Sequence, residues 1–362
     1  MSTAEANTRV VDNILSTEKL MGTERRWRRF GEPVPAGAPT GPDGAPDYGL
    51  FGPGSVAWDV LLHPAVIVLE SIGQSLMQLT YKPIAAGIRD HDPLSRKARD
   101  GTLTYFDAFE RFQRNSGMHA PMWLGDGATA RKMADHLHRV HKRVAGDVID
   151  IGAPDLGGYA AAEPREAMWA ALTEMHPILR MYEAFAFRGF WLPRRLPKAK
   201  RDQYVREVGA YLRLVGAPEA EIPQDMAQLR ALYRKYDHLF GHSDTIDTIP
   251  ATGQNFPQLS AETMKRNFHK TQVRAILPLM IQFAMFKLPI LGALPAKARH
   301  NAGLGPVKSA VAVAARYLAM PLFWLLQQGP FERRLMRLMW GPDGVALIDN
   351  ARRLHKQAKQ VR

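Results

Sequence analysis

The first candidate for chemistry in this chain is His141, which stands near the end of a helical pattern. Apolar residues recur there with the spacing of one helix face, at Ala130, Met133, Ala134, Leu137, Val140 and Val144. His141 falls on the same face, one turn after Leu137. An imidazole on a buried face needs a partner, which can be a backbone carbonyl or a metal ion. The spacing alone leaves both interpretations open, a core histidine and a metal ligand.

The composition limits the cofactors that the chain can hold. Cysteine is absent, so disulfides, thiolate zinc sites, cysteine-held iron–sulfur clusters, covalent c-type haem and thiolate-ligated haem are excluded. The chain has 12 histidines, and a metal would have to be bound by these or by carboxylates. A di-iron helix bundle is not indicated, because no histidine has a glutamate three positions before it.

The positive charge of the chain favours acidic partners but does not identify a particular one. The net charge is +13, and part of it lies at the two ends of the chain. These basic residues are Arg25, Arg26, Arg28, Arg29, Arg352, Arg353, Lys356, Lys359 and Arg362. No nucleic-acid recognition motif accompanies them, so we expect no nucleic-acid partner. A solvated basic surface and peripheral contact with an anionic membrane both fit this pattern.

Two long apolar stretches bear on localisation. Residues 276–294 and 310–326 approach membrane-spanning length, but proline and charged residues interrupt both. We therefore expect buried or interfacial helices. The first 20 residues lack the continuous apolar region of a signal peptide. The sequence predicts a cytoplasmic protein that can contact membranes peripherally.

Helical periodicity dominates the chain after a basic arm. Residues 1–48 form a Pro/Gly-rich arm, a mobile linker or a wrapping segment, and residues 49–362 form one helical domain. The fold class is therefore all-α. A long loop is expected over residues 241–258. The expected helices are Ser55–Leu62, Pro64–Gln78, Ile84–Asp90, Thr104–Leu124, Ala128–Ala145, Pro164–Phe187, Lys198–Val215, Met226–Leu239, Ala261–Phe286, Pro306–Gln327 and Asp343–Ala358.

Five segments, in order and at similar spacing, carry a resemblance to a known family. They are LMQLTYKPIAAGI (76–88), RFQRN (111–115), HKRVAG (141–146), YAAAEP (159–164) and RDQY (201–204). Together they resemble the catalytic domain shared by the rubber oxygenases (latex-clearing proteins) and the MpaB-type oxygenases of mycophenolic acid biosynthesis. The resemblance extends from about residue 50 to about residue 240.

The resemblance implies a globin-like core that holds haem b. The proximal haem ligand of that family falls on His141, in agreement with the position of His141 on the helix face. The implied reaction uses dioxygen on a hydrophobic substrate, with isoprenoid compounds as the precedent. The iron would supply the oxygen chemistry, and the protein would supply the axial imidazole and a polar distal face.

The segment 111–115 corresponds to the distal side of the haem in that family. The rubber oxygenases have Arg-x-x-Lys-Thr there, and this chain has Arg111, Arg114 and Asn115. Arginine does not readily deprotonate to bind iron, so a lysine-capped haem is not expected. Asn115 can donate a hydrogen bond to dioxygen, and Arg111 can supply positive charge. His119, one turn later, is either a further pocket residue or a histidine on the helix surface.

The proximal helix also departs from the family pattern. His138 and Ala145 stand where the family often has arginines, and Ala171 stands where it often has a histidine. His138 is a neighbouring candidate for cofactor contact. Arg139 and Arg143 can pair with haem propionates in place of the missing arginines, or they can be solvated surface residues.

The function that follows is a haem b-dependent oxygenase acting on a hydrophobic, isoprenoid or lipid-like substrate. The main alternative is a non-catalytic haem- or lipid-binding helical protein that associates peripherally with membranes. A haem-free helical interaction protein is the third. Retained haem without oxygen consumption would favour the second over the first.

Overall fold

The all-α class is confirmed by a computed structural model, which describes residues 17–24, 31–99, 105–148, 154–189, 191–242 and 286–361. Within these residues the only sheet has two short antiparallel strands, β1 (Ala145–Asp147) and β2 (Gly158–Ala160). Every other regular element is helical.

The helices are numbered here in chain order. They are α1 (Thr17–Met21), α2 (Val56–Leu61), α3 (Pro64–Gln78), α4 (Lys82–His91), α5 (Pro93–Arg99), α6 (Tyr105–Gly117), α7 (His119–Leu124), α8 (Gly127–His141), α9 (Pro164–Phe185), α10 (Lys198–Leu214), α11 (Met226–Lys235), α12 (Ala296–Asn301), α13 (Pro306–Leu318), α14 (Met320–Leu326) and α15 (Gly329–Gln360). Residues 286–293 are helical as well, and short 3-10 turns lie at Pro42–Gly44, Pro154–Leu156, Glu219–Glu221 and Asp237–Leu239.

Helices α3 and α9 form the centre of the fold. Helix α3 begins at Pro64, whose missing N–H needs no partner at that position, and His63 Nδ1 caps it by accepting from Ala65 N at 3.2 Å. The two helices approach closely where Gly73 faces Met181, because a Cβ on Gly73 would lie only 3.3 Å from that side chain. Helices α2, α10 and α15 pack around this pair, and four fully buried tryptophans fill the core.

The helix expected over residues 104–124 is divided in the structure. Helix α6 ends at Gly117, and α7 begins at His119 after Met118. The residue Thr104 lies outside the described residues. The break turns the chain, so that α7 packs between α6 and α8 and carries His119 toward α3 and α9.

Helix α8 ends four residues earlier than expected. Its last residue is His141, and Ala145 belongs to strand β1 rather than to the helix. The expected burial of its apolar face is correct for Ala130, Met133 and Ala134. It is wrong for Val140, which is 47% exposed. The helix therefore buries its first turns and leaves its last turn at the surface.

The described part of the N-terminal arm lies against the helical domain. Ala36 N donates to Leu124 O at 3.1 Å, and Asp126 N donates to Val34 O at 2.9 Å. Ala36 is buried. Residues 31–49 thus pack as a wrapping segment beside the junction of α7 and α8.

The last helices differ from their expected bounds. The helix expected over residues 306–327 is α13 and α14, bent by 50° at Ala319 and Met320. Helix α15 begins well before the expected Asp343, with a kink at Gly341 next to Pro342. Among the described residues, no single helix combines the length and the apolar composition that a membrane span needs. Only the bent pair α13–α14, taken together, has both. The expected helix 261–286 and loop 241–258 lie almost entirely outside the described residues.

Candidate functional site

His141 stands at the boundary between helix α8 and the strand that follows it. Its side chain is half-buried in the last turn, and its backbone oxygen accepts from Val144 N at 2.9 Å. The next residues are held by α4, because His91 Nε2 lies 3.0 Å from Ala145 O and Gly87 packs against Val144. The backbone that follows His141 is therefore held by α4.

The surroundings of His141 favour the neutral form of its imidazole. Burial lowers its pKa from the ordinary value, and the charge of His138 lowers it further. No hydrogen bond from the described residues reaches its ring. A neutral imidazole with an available nitrogen is the form that binds iron or another transition metal. The observed environment of His141 thus fits an axial haem ligand.

The basic residues around His141 are exposed. His138, Arg139 and Arg143 are all on the surface of the last turn and the residues after it. Arg139 and Arg143 make no ion pair with the described residues, so their guanidinium groups can bind carboxylates of a ligand. All three residues lie within three positions of His141 in the sequence.

Arg111 and Arg114 lie together on α6, facing α5. Both line a cavity of about 180 Å³ whose other polar walls include Lys97, Asp107 and Glu110. Arg111 Nε donates to Asp92 Oδ2 at 2.7 Å, while Arg114 is 61% exposed and pairs with Glu110 at 3.5 Å. No histidine among the described residues lines this cavity. The structure thus joins Arg111 with Arg114 there but does not place His141 beside them.

Asn115 is half-buried on the same helix as Arg111. Its side chain makes no hydrogen bond with the described residues, so both its amide donor and its amide acceptor are available. It does not line the cavity that contains Arg111 and Arg114. Of the residues expected on the distal side, Asn115 is the one with free hydrogen-bonding capacity.

His119 is neither on the helix surface nor available to a cofactor. It is buried, with Nδ1 at 3.0 Å from Glu70 Oε1 and Nε2 at 3.1 Å from Glu174 Oε1. Trp123 stacks on its ring, with the ring centroids 4.6 Å apart. The interpretation of His119 as a surface residue is wrong, because the break between α6 and α7 turns this side chain into the core.

The charges around His119 fix its protonation. Burial alone would lower the pKa of His119, but the charges of Glu70 and Glu174 raise it to about 9. Burial raises the pKa of Glu174 to about 7, against the effect of the His119 charge. A doubly protonated imidazole has no lone pair for a metal. His119 therefore holds helices together, whereas His141 can bind a cofactor.

The carboxylates of this cluster continue into a buried chain of hydrogen bonds. Tyr211 donates to Glu174 Oε2 at 2.9 Å, and Ser71 donates to Glu70 Oε1 at 2.8 Å. Ser71 and Ser116 lie 2.8 Å apart, which extends the chain to α6. We refer to Glu70, Ser71, Ser116, His119, Glu174 and Tyr211 as the buried polar cluster.

Sequence reasoning did not find the carboxylates of the buried polar cluster. A signal was present, since Glu70 interrupts the apolar run Ala65–Leu69 and Glu174 lies within a helix that is buried along most of its length. A carboxylate inside such a run requires a charged or hydrogen-bonding partner. Which residue supplies the partner depends on how three separate helices meet.

A metal held by protein ligands alone is not indicated in the part of the chain that the structure describes. No group of three or more histidines and carboxylates is arranged there to hold a metal ion. Haem requires less of the protein, because the porphyrin supplies four iron ligands and a single histidine can supply a fifth.

Comparison with known families places this site in a class. Residues 58–339 match an oxygenase catalytic domain. Because the match covers most of the chain, the chain belongs to the family described as ER-bound oxygenase mpaB/B'/rubber oxygenase, catalytic domain. This confirms the resemblance found in the five sequence segments. No curated protein and no solved structure matches the chain.

Proposed function

We propose that this protein is a haem b-dependent oxygenase in which His141 is the proximal ligand. The observation that carries the proposal is the half-buried imidazole of His141, which has a lowered pKa and no hydrogen bond from the described residues, within the matched oxygenase domain. The haem iron would supply the activation of dioxygen. The chain itself binds and orients the cofactor and the substrate.

The exposed residues beside His141 have a role in holding the cofactor. Arg139 and Arg143 are exposed and make no ion pair with the described residues, which suits pairing with the two propionates of haem b. His138 lowers the pKa of His141 and so favours the neutral ring that binds iron. The exposed Val140 offers an apolar contact for the porphyrin edge.

The family resemblance, and not a contact with His141, assigns the distal functions to residues of α6. Asn115 has an amide donor that can hydrogen-bond dioxygen, and Arg111 supplies positive charge that Asp92 partly offsets. Arg114 contributes charge near the surface. The substrate is a hydrophobic molecule, isoprenoid or lipid-like, because such compounds are the precedent for oxygenases that resemble this chain.

The proposal is tested by the absorption spectrum of the purified protein and of two matched variants. His141→Ala should lose haem, measured as the pyridine haemochrome per protein chain, with its helical circular dichroism retained. His136→Ala, on the same helix, should keep haem and the wild-type Soret band. Full haem occupancy with an unchanged Soret band in His141→Ala would show that another residue holds the iron.

The second candidate is a non-catalytic haem- or lipid-binding protein at a membrane surface. It is favoured by the departures from the family pattern at Arg114, Asn115 and Ala171. Oxygen uptake by the haem-loaded protein, supplied with a reductant and isoprenoid substrates, separates the two. Haem that is retained and reducible without any oxygen uptake supports this second candidate.

A further inference from the structure

The outer face of helices α13 and α14 is apolar. Val307 and Leu318 are 78% and 82% exposed, and Tyr317 and Trp324 are exposed beside them. A single exposed apolar side chain is ordinary, but a contiguous group of large ones commonly marks a contact with a partner or a lipid. We call the exposed apolar residues of α13 and α14 the apolar corner.

A neighbouring loop adds two further apolar side chains. Trp191 and Leu192 follow helix α9 and are 79% and 73% exposed. The start of this loop is tied to the end of α14, since Phe187 N donates to Gln327 Oε1 at 3.2 Å and Gln327 Nε2 donates to Phe185 O at 2.8 Å. The loop and the apolar corner are therefore neighbours.

A second contact joins the loop to the end of α9. Arg195 Nε lies 4.0 Å from Glu183 Oε2, and Arg180 Nη1 donates to the same oxygen at 3.1 Å. Helix α14 also packs on α9, so the loop, α9 and α14 meet at one place. Aromatic and aliphatic side chains thus project from one region of the surface.

The charge of this region is mainly positive, although Arg195, Lys198 and Lys297 pair with Glu183, Asp202 and Asp237. Residues 184–201 contain six lysines and arginines and no aspartate or glutamate. Residues 286–331 contain five lysines and arginines and again no carboxylate. Arg194, Lys200 and Lys308 are exposed and make no ion pair with the described residues. An apolar surface with these three exposed cations beside it is complementary to an anionic surface with an apolar interior.

We propose that the apolar corner and the Trp191–Leu192 loop dock this protein onto the surface of a bilayer that contains anionic lipid. The exposed apolar side chains enter the boundary between headgroups and acyl chains, and the lysines and arginines contact the lipid phosphates. The two helices are bent by 50° and lie along the surface as an interfacial element. This inference does not depend on haem.

The absence of cysteine allows a direct test. Leu318→Cys and Trp191→Cys each give the full-length protein a single thiol for an environment-sensitive fluorophore. Both labels should shift to the blue when vesicles of phosphatidylcholine with phosphatidylserine are added. Vesicles of phosphatidylcholine alone should bind the protein at least about tenfold more weakly. High salt should weaken binding to the anionic vesicles.

Two exposed positions of equal accessibility serve as target and control. Val311 in α13 is 51% exposed, and Met21 in α1 is 50% exposed. Val311→Glu should weaken sedimentation with anionic vesicles by about tenfold, because it places a carboxylate among apolar side chains that meet lipid. Met21→Glu should leave binding unchanged. Circular dichroism of both variants should match the wild type, since both side chains are at the surface.

Three results would overturn the proposal. The first is a wild-type protein that does not bind anionic vesicles, or that binds them with no change at the Leu318 and Trp191 labels. The second is a Leu318 label already in an apolar environment without lipid, which would mean that the chain or a second copy covers the corner. The third is equal loss of binding in Val311→Glu and Met21→Glu. Resistance of the bound protein to high-salt and alkaline washing would show insertion instead of surface docking.

Discussion

His119 Nε2 lies 3.1 Å from Glu174 Oε1, and both side chains are buried in the centre of the helical domain. Glu70 occupies the other side of the same imidazole, so a carboxylate faces each ring nitrogen. A buried charge is costly unless its partners neutralise it. The three helices α3, α7 and α9 are therefore joined by an ionic contact whose strength depends on pH.

The free energy of unfolding should fall as the pH rises from 6.5 to about 9. His119 has a pKa of about 9 in the folded protein against the ordinary value of 6.5. Between these values the folded state holds a proton that the unfolded chain has lost. The stabilisation is therefore complete below pH 6.5 and lost as the pH passes 9, and it amounts to about 3 kcal/mol. Urea denaturation at a series of pH values measures it.

His119→Gln is the control for this pH dependence. Glutamine keeps hydrogen-bonding groups but cannot titrate, so the His119 contribution to the slope between pH 6.5 and about 9 should disappear. Glu174, whose pKa burial raises from 4.5 to about 7, should still make the protein less stable as the pH rises from 4.5, and its slope should extend above pH 7 because the His119 charge no longer lowers this pKa. A variant with the wild-type slope above pH 7 would show that another group titrates there.

Glu70→Gln should lower both the pKa of His119 and the stability of the fold. Glu70 is the first counter-charge that raises this pKa, and the substitution leaves an incompletely neutralised cation in the core. Breaking a buried ion pair typically costs about 3–5 kcal/mol. A histidine proton titration by NMR gives the pKa, and urea denaturation gives the stability.

The matched control is a carboxylate of an exposed ion pair. Glu219 pairs with Arg213 at 2.7 Å, and both side chains are at the surface. Glu219→Gln should change neither the His119 titration nor the urea midpoint, since exposed pairs contribute little. If Glu219→Gln were as destabilising as Glu70→Gln, the argument from burial would be wrong.

The sequence was sufficient for most of the helices. Helix α3 has an apolar pattern with proline at its first position, and α8 has Asp126 as its N-cap, so local rules predict both. Local rules were insufficient where tertiary contacts decide. Helix α6 ends at Gly117, four residues before Pro121, which cannot donate to the Gly117 carbonyl, so the break itself has a local cause. No pattern within residues 104–124 shows that this break brings His119 to Glu70 and Glu174.

The candidate site, too, could be predicted from local sequence only in part. His141 could be selected from its spacing and its resemblance, because both are properties of one short segment. Glu70 and Glu174 could not be matched with His119, since they come from helices far apart in sequence. The exposure of Val140 also depends on which elements cover the last turn of α8, and helical periodicity carries no information about that.

Gly292→Ala should destabilise the packing of residues 286–293 against α13. A Cβ at Gly292 would lie 2.0 Å from Ala312 O, so the two backbones would have to separate. Overpacking of this kind costs about 1–3 kcal/mol, which should lower the thermal unfolding midpoint. Gly305→Ala is the control, because nothing lies within 4 Å of its added methyl group. Equal midpoints for the two variants would contradict the close approach.

If the protein binds haem as proposed, Asn115→Leu should change the polarity on the distal side without lowering the haem content. The Asn115 amide has no hydrogen bond with the described residues, and leucine has a similar size without the donor. Loss of one hydrogen bond of about 1 kcal/mol should reduce oxygen uptake severalfold. Pyridine haemochrome measures haem content, and the infrared C–O stretch of the carbon monoxide adduct reports the distal field directly. The C–O stretch should move to higher frequency when the hydrogen-bond donor of Asn115 is lost.

Arg114→Ala separates this effect from a general change in surface charge. Arg114 is 61% exposed and pairs only loosely with Glu110 at 3.5 Å, so its removal should leave the C–O stretch unchanged. Arg111→Ala should shift the band partway, because Asp92 already offsets much of its charge at 2.7 Å. A C–O band that is the same in wild type and Asn115→Leu would place Asn115 outside the oxygen pocket. The distal donor would then have to come from a different element than α6.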